Sequence, residues 1–153
     1  MKTLTFAACA ALFPVAVLAH DAVAVTDAYA RSSNPQTGAA FMLLDNHREV
    51  DCTLGNVTSD LAERTEMHTH REVDGVMKMV PIEGGITIPA GEVHPMQRGA
   101  DHVMFLGLHQ PLKDGDVVRF TLDFGDCGTV DVKTTVDNAR QPDAAPAAGH
   151  TGH

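Results

Sequence analysis

Nine short segments with the alternating or β-branched pattern of strands run through the middle of this 153-residue chain. Successive side chains of a strand point to opposite faces, so a strand with one buried face alternates between apolar and polar residues. No amphipathic helix of normal length competes with this pattern. The nine predicted strands are 22–30, 39–45, 49–55, 62–69, 75–82, 85–89, 102–108, 117–124 and 129–136.

Turn-forming residues separate these segments. The runs SSNP at 32–35, EGG at 83–85 and KDGD at 113–116 combine Gly, Pro, Asn, Asp and Ser, which favour tight reversals. Many short strands with regular turns predict an all-β domain, either a sandwich or a small barrel. An apolar fraction of 44% is sufficient for one buried core.

The first nineteen residues have the pattern of a secretory signal peptide. Lys2 provides the basic start, an apolar stretch follows, and Val17 and Ala19 fit the small-residue rule at a cleavage site. Cleavage after Ala19 predicts an exported, periplasmic protein that starts at His20 and is not embedded in a membrane. Lipid attachment at Cys9 is the weaker alternative, because only eight residues precede that cysteine.

The predicted organisation is therefore a signal peptide at 1–19, a β domain at 20–137 and a flexible tail at 138–153. The tail is rich in Ala, Pro and Gly and has no large apolar residue, so it cannot bury enough surface to offset the entropy of ordering. His150 and His153 lie near its end. They are either incidental or an auxiliary grip for Cu(II) or Zn(II).

The net charge of −9 excludes several partners and favours others. Nucleic acid is not expected, because binding to phosphates requires concentrated Lys and Arg. An acidic surface mildly attracts cations. Cys52 and Cys127 remain after signal cleavage, and an even pair in an oxidising compartment favours a disulfide over thiolate ligation of a metal.

Methionine and histidine cluster in three of the predicted strands. Residues i and i+2 of a strand share a face, so His102 and Met104 project together, as do Met77 and Met79, and His68 and His70. Neutral, polarizable thioether sulfur suits Cu(I), and imidazole binds Cu(I) and Cu(II) alike. Zinc makes little use of thioether, so the pattern favours copper.

Most methionines of a β protein fill the core, and Met42 and Met77 are expected to do so. His47 and His109 are expected to be surface or hydrogen-bonded residues. His94 and Met96 repeat the spacing of the His102 and Met104 pair, and chemistry alone does not choose between the two pairs. Pro95 argues against a regular paired strand at 94–96, although edge strands tolerate proline.

Two other function classes are not expected. A blue-copper electron carrier needs a Cys thiolate with two His and a Met, and no suitably spaced His and Met follow Cys127. An enzyme is not expected, because no Ser-His-Asp, Cys-His or HExxH motif has a credible context.

The whole stretch 22–136 resembles the PCu(A)C family of periplasmic copper chaperones. The signature of that family is a His, ten residues, a Met, a little over twenty residues, and then His-x-Met. Here ten residues separate His68 from Met79, and twenty-two more lead to His102 and Met104. Further similar segments are GAAFM at 38–42, DGVMKM at 74–79, PIEGG at 81–85, IPAG at 88–91, MFLGL at 104–108 and PLKDGD at 111–116.

The resemblance implies a cupredoxin-like, antiparallel Greek-key β-sandwich or barrel. It implies one Cu(I) bound by His68, Met79, His102 and Met104. It also implies delivery of that copper to the copper subunit of cytochrome c oxidase, alongside a Sco-type partner. A periplasmic copper buffer or resistance protein without a dedicated client is the alternative function.

The segment before His102 departs from the family pattern. His70, His94 and Met96 are therefore predicted to add to the four ligands or to compete with them.

Overall fold

The computed structural model describes residues 23–141, which form eleven strands, one turn of 3₁₀ helix and no α-helix. The all-β prediction is confirmed. The signal peptide, His20, His150 and His153 lie outside the described residues. The strands are β1 (Val23–Asn34), β2 (Thr37–Asn46), β3 (Cys52–Leu54), β4 (Asn56–Thr58), β5 (Ala62–Val73), β6 (Val76–Pro81), β7 (Ile86–Ile88), β8 (Val93–Met96), β9 (His102–Leu108), β10 (Val117–Asp123) and β11 (Thr129–Thr135), and the 3₁₀ turn is Gly125–Cys127.

The largest sheet has six antiparallel strands in the order β1-β2-β9-β5-β6. The sixth strand, β8, also pairs with β2, because residues 37–40 of β2 face β9 and residues 42–45 face β8. Two strands that are distant in sequence, β5 and β9, therefore lie side by side in the middle of the sheet. This arrangement brings the predicted ligand strands together.

Two smaller sheets, β11-β10-β4 and β3-β7, cover the inner face of the large sheet. Their alternating apolar residues share one core with those of the large sheet, for example where the rings of Phe105 and Phe120 lie 5.6 Å apart between centroids. The predicted antiparallel sandwich is thus the observed architecture. Burial of this continuous apolar face is the main stabilising contribution, at about 25 cal/mol per Å² of apolar surface removed from water.

A disulfide joins Cys52 to Cys127, whose Cα atoms are 5.8 Å apart. It links the β3-β7 sheet to the 3₁₀ turn that follows β10. The expected pairing is confirmed, and thiolate ligation of a metal by these two residues is wrong for this oxidised form.

Several strand limits differ from the predicted ones. The nine predicted strands do not include β4 or β8, because strands of three or four residues are too short to establish a period. Pro95 lies within β8 opposite Leu43, which is possible because β8 pairs with one strand only in the described chain. Ser32 and Ser33 extend β1, since the side chain of Asn34 holds the turn by accepting from the backbone amides of Gln36 and Thr37.

The start of the predicted tail contacts the domain. The backbone amide of Ser32 donates to the side chain of Asn138, and the guanidinium of Arg31 donates to the Asn138 carbonyl at 2.8 Å. Arg140 pairs with Asp27 and lies over the ring of Tyr29. Contacts with the β domain therefore extend to Arg140, three residues past its predicted end at 137. No helix in residues 23–141 is long and apolar enough to cross a membrane.

Candidate metal centre

The outer face of the six-stranded sheet carries the predicted ligands. On β5, Met67 points into the core, so Glu66, His68 and His70 point outward by the two-residue period of a strand. Because β5 lies between β9 and β6, its outward side chains meet side chains from both neighbours.

Strand register places the four predicted ligands next to one another. His68 lies directly opposite His102 on β9, and two residues further along β9 is Met104. On the other side of β5, Met79 of β6 lies opposite His70, one diagonal step from His68. All four predicted ligands therefore occupy one patch on three adjacent strands, although 36 positions (104 − 68) separate the first from the last. Their ligand role itself stays a prediction.

His102 is held in a state that suits a metal ligand. Its side chain is buried, with 2% of the residue exposed, and its Nδ1 donates to the carbonyl of Ala100 at 2.9 Å. That bond leaves the lone pair on Nε2. Burial lowers the pKa of His102, and the nearby imidazoles of His70 and His68 lower it further, against the opposing effects of the Ala100 carbonyl and Asp101. The imidazole is therefore neutral at neutral pH.

The ring of His68 is held by the carboxylate of Glu66, as the ring of His102 is held by the Ala100 carbonyl. Its Nε2 lies 2.9 Å from Oε2 of Glu66, and an ionised carboxylate can only accept, so Nε2 carries the proton. The lone pair is left on Nδ1, which is buried and has no hydrogen-bond partner among the described residues. A carboxylate behind an imidazole fixes its tautomer and raises its basicity toward a metal. Sequence reasoning missed Glu66, although its position two residues before His68 places it on the same face.

A cleft of about 730 Å³ opens beside three of the four predicted ligands, all except His68. Of the metal-ligating types, His70, Met79, His102 and Met104 line it. Its other lining residues are Arg31, Ser32, Ser33, Thr37, Gly38, Ala39, Phe41, Arg98, Gly99 and Asn138. Two guanidinium-bearing residues and no carboxylate belong to this lining, counted within residues 23–141, so the expected attraction of cations by the acidic chain does not extend to the cleft wall.

The competing pair on β8 is placed differently. Met96 is only 2% exposed and belongs to the core, opposite Met42 of β2. His94 lies opposite Leu44 on the same face of β8 as Met96, and its Nε2 is 3.0 Å from Oδ2 of Asp101. Neither residue lines the cleft. Met96 therefore points into the core and His94 contacts Asp101, next to His102, while the auxiliary role of both residues stays a prediction.

The predictions for the other methionines and histidines are confirmed in part. Met42 fills the core as predicted, whereas the prediction for Met77 is wrong, because 60% of that residue is exposed on β6. His47 and His109 are exposed, as expected.

The donor set fits a soft monovalent ion better than a hard divalent one. Two thioethers and two neutral imidazoles on one face match the preference of Cu(I) for sulfur and unsaturated nitrogen. Within the part of the chain that the structure describes, no three His, Cys, Asp or Glu side chains are already gathered around one point for a metal ion. A donor set for Cu(I) on this face therefore includes the two thioethers.

Comparison with known proteins agrees with the fold. The family model described as "Putative lipoprotein LpqE-like" matches residues 23–136. The chain is 29% identical over 116 residues to "Putative lipoprotein Lxx21020" of Leifsonia xyli subsp. xyli, which covers 76% of this chain and 70% of that protein.

Solved structures of other proteins also share this fold. The solution structure of CuI-DR1885 from Deinococcus radiodurans is 33% identical, with a TM-score of 0.57, over 80% of this chain and 84% of that one. The apo form of the same protein is 29% identical with a TM-score of 0.58, over 92% and 99% of the two chains. The copper-bound PCuAC domain from PmoF2 shares the fold at 19% identity, with a TM-score of 0.61 over 76% and 92%.

Proposed function

Because this chain belongs to the LpqE-like family and has the PCu(A)C fold, we propose that it is an exported copper chaperone that carries one Cu(I). The metal is cargo and not a resident cofactor, so the protein is a carrier and not an enzyme. The proposed ligands are His68, Met79, His102 and Met104.

One observation carries this proposal. Four residues chosen by sequence spacing lie on one face of three adjacent strands, with two of them directly opposite each other. An arbitrary set of four surface residues from a sandwich of this size would be divided between its faces. The relative named CuI-DR1885, 33% identical, supports the oxidation state.

The site combines a fixed inner part with an accessible outer part. His102 is buried and oriented by a backbone carbonyl, whereas Met79 is 45% exposed. Incoming ligands from a client can therefore replace the thioether first, while the inner imidazoles still hold the ion. Thioether and imidazole ligands are uncharged, so the bound Cu(I) keeps its full charge. A transient interface with the client is sufficient for the transfer.

A Cu(I) titration against a coloured chelator tests the ligands. We expect one tightly bound Cu(I) per chain. Met79→Ala and Met104→Ala should each lower the Cu(I) affinity by at least about tenfold, since even substitution of a residue that only hydrogen-bonds to a ligand has that effect. Met77→Ala is the matched control, because Met77 lies two residues from Met79 on β6 and is even more exposed. Equal losses for Met77→Ala and Met79→Ala would contradict this ligand set.

The proposed client is the copper subunit of cytochrome c oxidase, with a Sco-type protein as the second partner. A buffer or resistance protein would have the same site and no client. Transfer separates the two functions: the Cu(I)-loaded chain is mixed with the soluble copper domain of the oxidase subunit, and copper in each protein is measured after separation. Copper retained by this chain, at client excess, would favour the buffer.

Export is supported by the leader and by the lipoprotein description of the family. We propose cleavage after Ala19 and a periplasmic location. Mass spectrometry of the mature protein distinguishes signal cleavage from lipid attachment at Cys9. A chain that starts at His20 has a lower mass than one that retains Cys9 and its lipid.

A further inference from the structure

We infer that His70 completes a three-imidazole set with His68 and His102, which binds copper as Cu(II) on the same face that binds Cu(I). The inference deepens the proposed copper function and rests on it. It assigns a ligand outside the four that the spacing predicts, and it predicts that one patch serves both oxidation states.

The ring positions fit one shared ion. Two imidazoles on one metal have ring centres at most about 6.2 Å apart, twice the sum of a bond of about 2.0 Å and the roughly 1.1 Å from nitrogen to ring centre. The centroid of His102 lies 5.5 Å from that of His70 and 6.1 Å from that of His68. Both separations are within the limit, so the ring of His102 is close enough to share an ion with either of the other two rings.

Donor atoms are also in place. The Nδ1 atoms of His68 and His70 are buried and, among the described residues, have no hydrogen-bond partner. An unpaired buried polar atom destabilises a folded protein, so such atoms call for an explanation. Binding of a metal would supply the missing partner. The free nitrogen of His102 is Nε2, because its Nδ1 donates to Ala100.

Cu(I) and Cu(II) prefer different donor atoms. Cu(II) prefers nitrogen and oxygen donors in tetragonal geometry, whereas thioether sulfur selects Cu(I). Without His70 the face offers only two imidazoles, a weak set for Cu(II). With His70 it offers three, and Met79 and Met104 become dispensable for the oxidised ion.

Modest side-chain rotation is part of this inference, because the three rings are not yet gathered around one point. His70 has room for it, since it lines the 730 Å³ cleft. The inference leaves in place the hydrogen bond of His68 to Glu66 and that of His102 to the Ala100 carbonyl.

Electron paramagnetic resonance with added Cu(II) tests the inference. The full chain is used with His150→Gln and His153→Gln in every sample, so that the tail does not mask the site. Three imidazole nitrogens are expected in the spectrum of this background, and His70→Gln should remove one and weaken Cu(II) at least tenfold. The matched control is His109→Gln, an exposed histidine away from the cleft.

His70→Met sharpens the test, because it exchanges nitrogen for sulfur at the same position. We expect this variant to lose Cu(II) affinity at least tenfold while its Cu(I) affinity changes less than threefold. Unchanged Cu(II) affinity and nitrogen count in His70→Gln would overturn the inference. If instead the background chain binds Cu(II) with three imidazoles but no Cu(I), the proposed Cu(I) function fails and the inferred site stands.

Discussion

The Cys52–Cys127 disulfide makes a quantitative prediction about stability. Replacing both cysteines by alanine removes a cross-link between positions 75 residues apart. Every proposed copper ligand lies within the loop that this bond closes. The unfolded chain gains the freedom of that loop when the bond is absent, so the folded state becomes less stable relative to it.

The magnitude follows from the loop length. With about 75 residues in the loop, the chain-entropy relation gives roughly 15 cal/mol/K, or about 4.5 kcal/mol at 25 °C. A domain of this size loses roughly 3–5 °C of Tm per kcal/mol, so we expect Tm to fall by about 15–20 °C. Typical domains have only about 5–15 kcal/mol of stability, so much of the margin depends on this bond.

Urea unfolding of the oxidised chain and of Cys52→Ala/Cys127→Ala measures the difference. A thiol reductant should lower the midpoint of the native chain toward that of the variant and leave the variant itself unchanged. Cu(I) affinity of the variant should remain within threefold of native, because neither cysteine lines the cleft. A loss of less than 1 kcal/mol would refute the loop-entropy reasoning, and a large loss of copper affinity in a folded variant would refute the placement of the site.

Three further changes have expected outcomes. Burial lowers the pKa of His102, so the unfolded chain takes up that proton first and the apo protein should lose stability as pH falls below about 6.5; urea midpoints at pH 7.5 and 5.5 check the sign, and a higher midpoint at pH 5.5 would contradict it. Glu66→Gln should lower Cu(I) affinity about tenfold, because it weakens the partner of a ligating imidazole; the chelator titration is repeated with Glu72→Gln as the control on the same strand. Met42→Ala should cost about 2–5 kcal/mol in urea unfolding and Met77→Ala less than about 0.5, since only the first is buried.

Local alternation was sufficient to predict the β class and most strands, because each strand buries one face. The same rule predicted that His102 and Met104 share a face, and that Met77 shares one with Met79. It did not show which face is buried, so Met77 was wrongly assigned to the core. That choice depends on strand order, which is a long-range property.

Strand pairing also separates the two His-x-Met pairs, since Met104 lines the cleft and Met96 does not. Met96 fills the core because β8 pairs with β2 opposite Met42, a contact across 54 positions (96 − 42) that no local pattern contains. Spacing indicated His68 and Met79, and the structure shows why: in the β5-β6 hairpin they lie one diagonal step apart. Glu66 stands out only once β5 is known to lie between β9 and β6.

Strand order has a consequence for the kinetics of the hairpin. In the described chain, β9 and β5 each have a strand on both sides, whereas β6 pairs with β5 alone. An edge strand opens with a lower free energy than a central one, so amides of β6 should exchange with solvent faster than those of β9. The thioether of Met79 moves with that edge. Fraying of one strand, not loosening of the whole domain, would then set the rate at which the ion escapes.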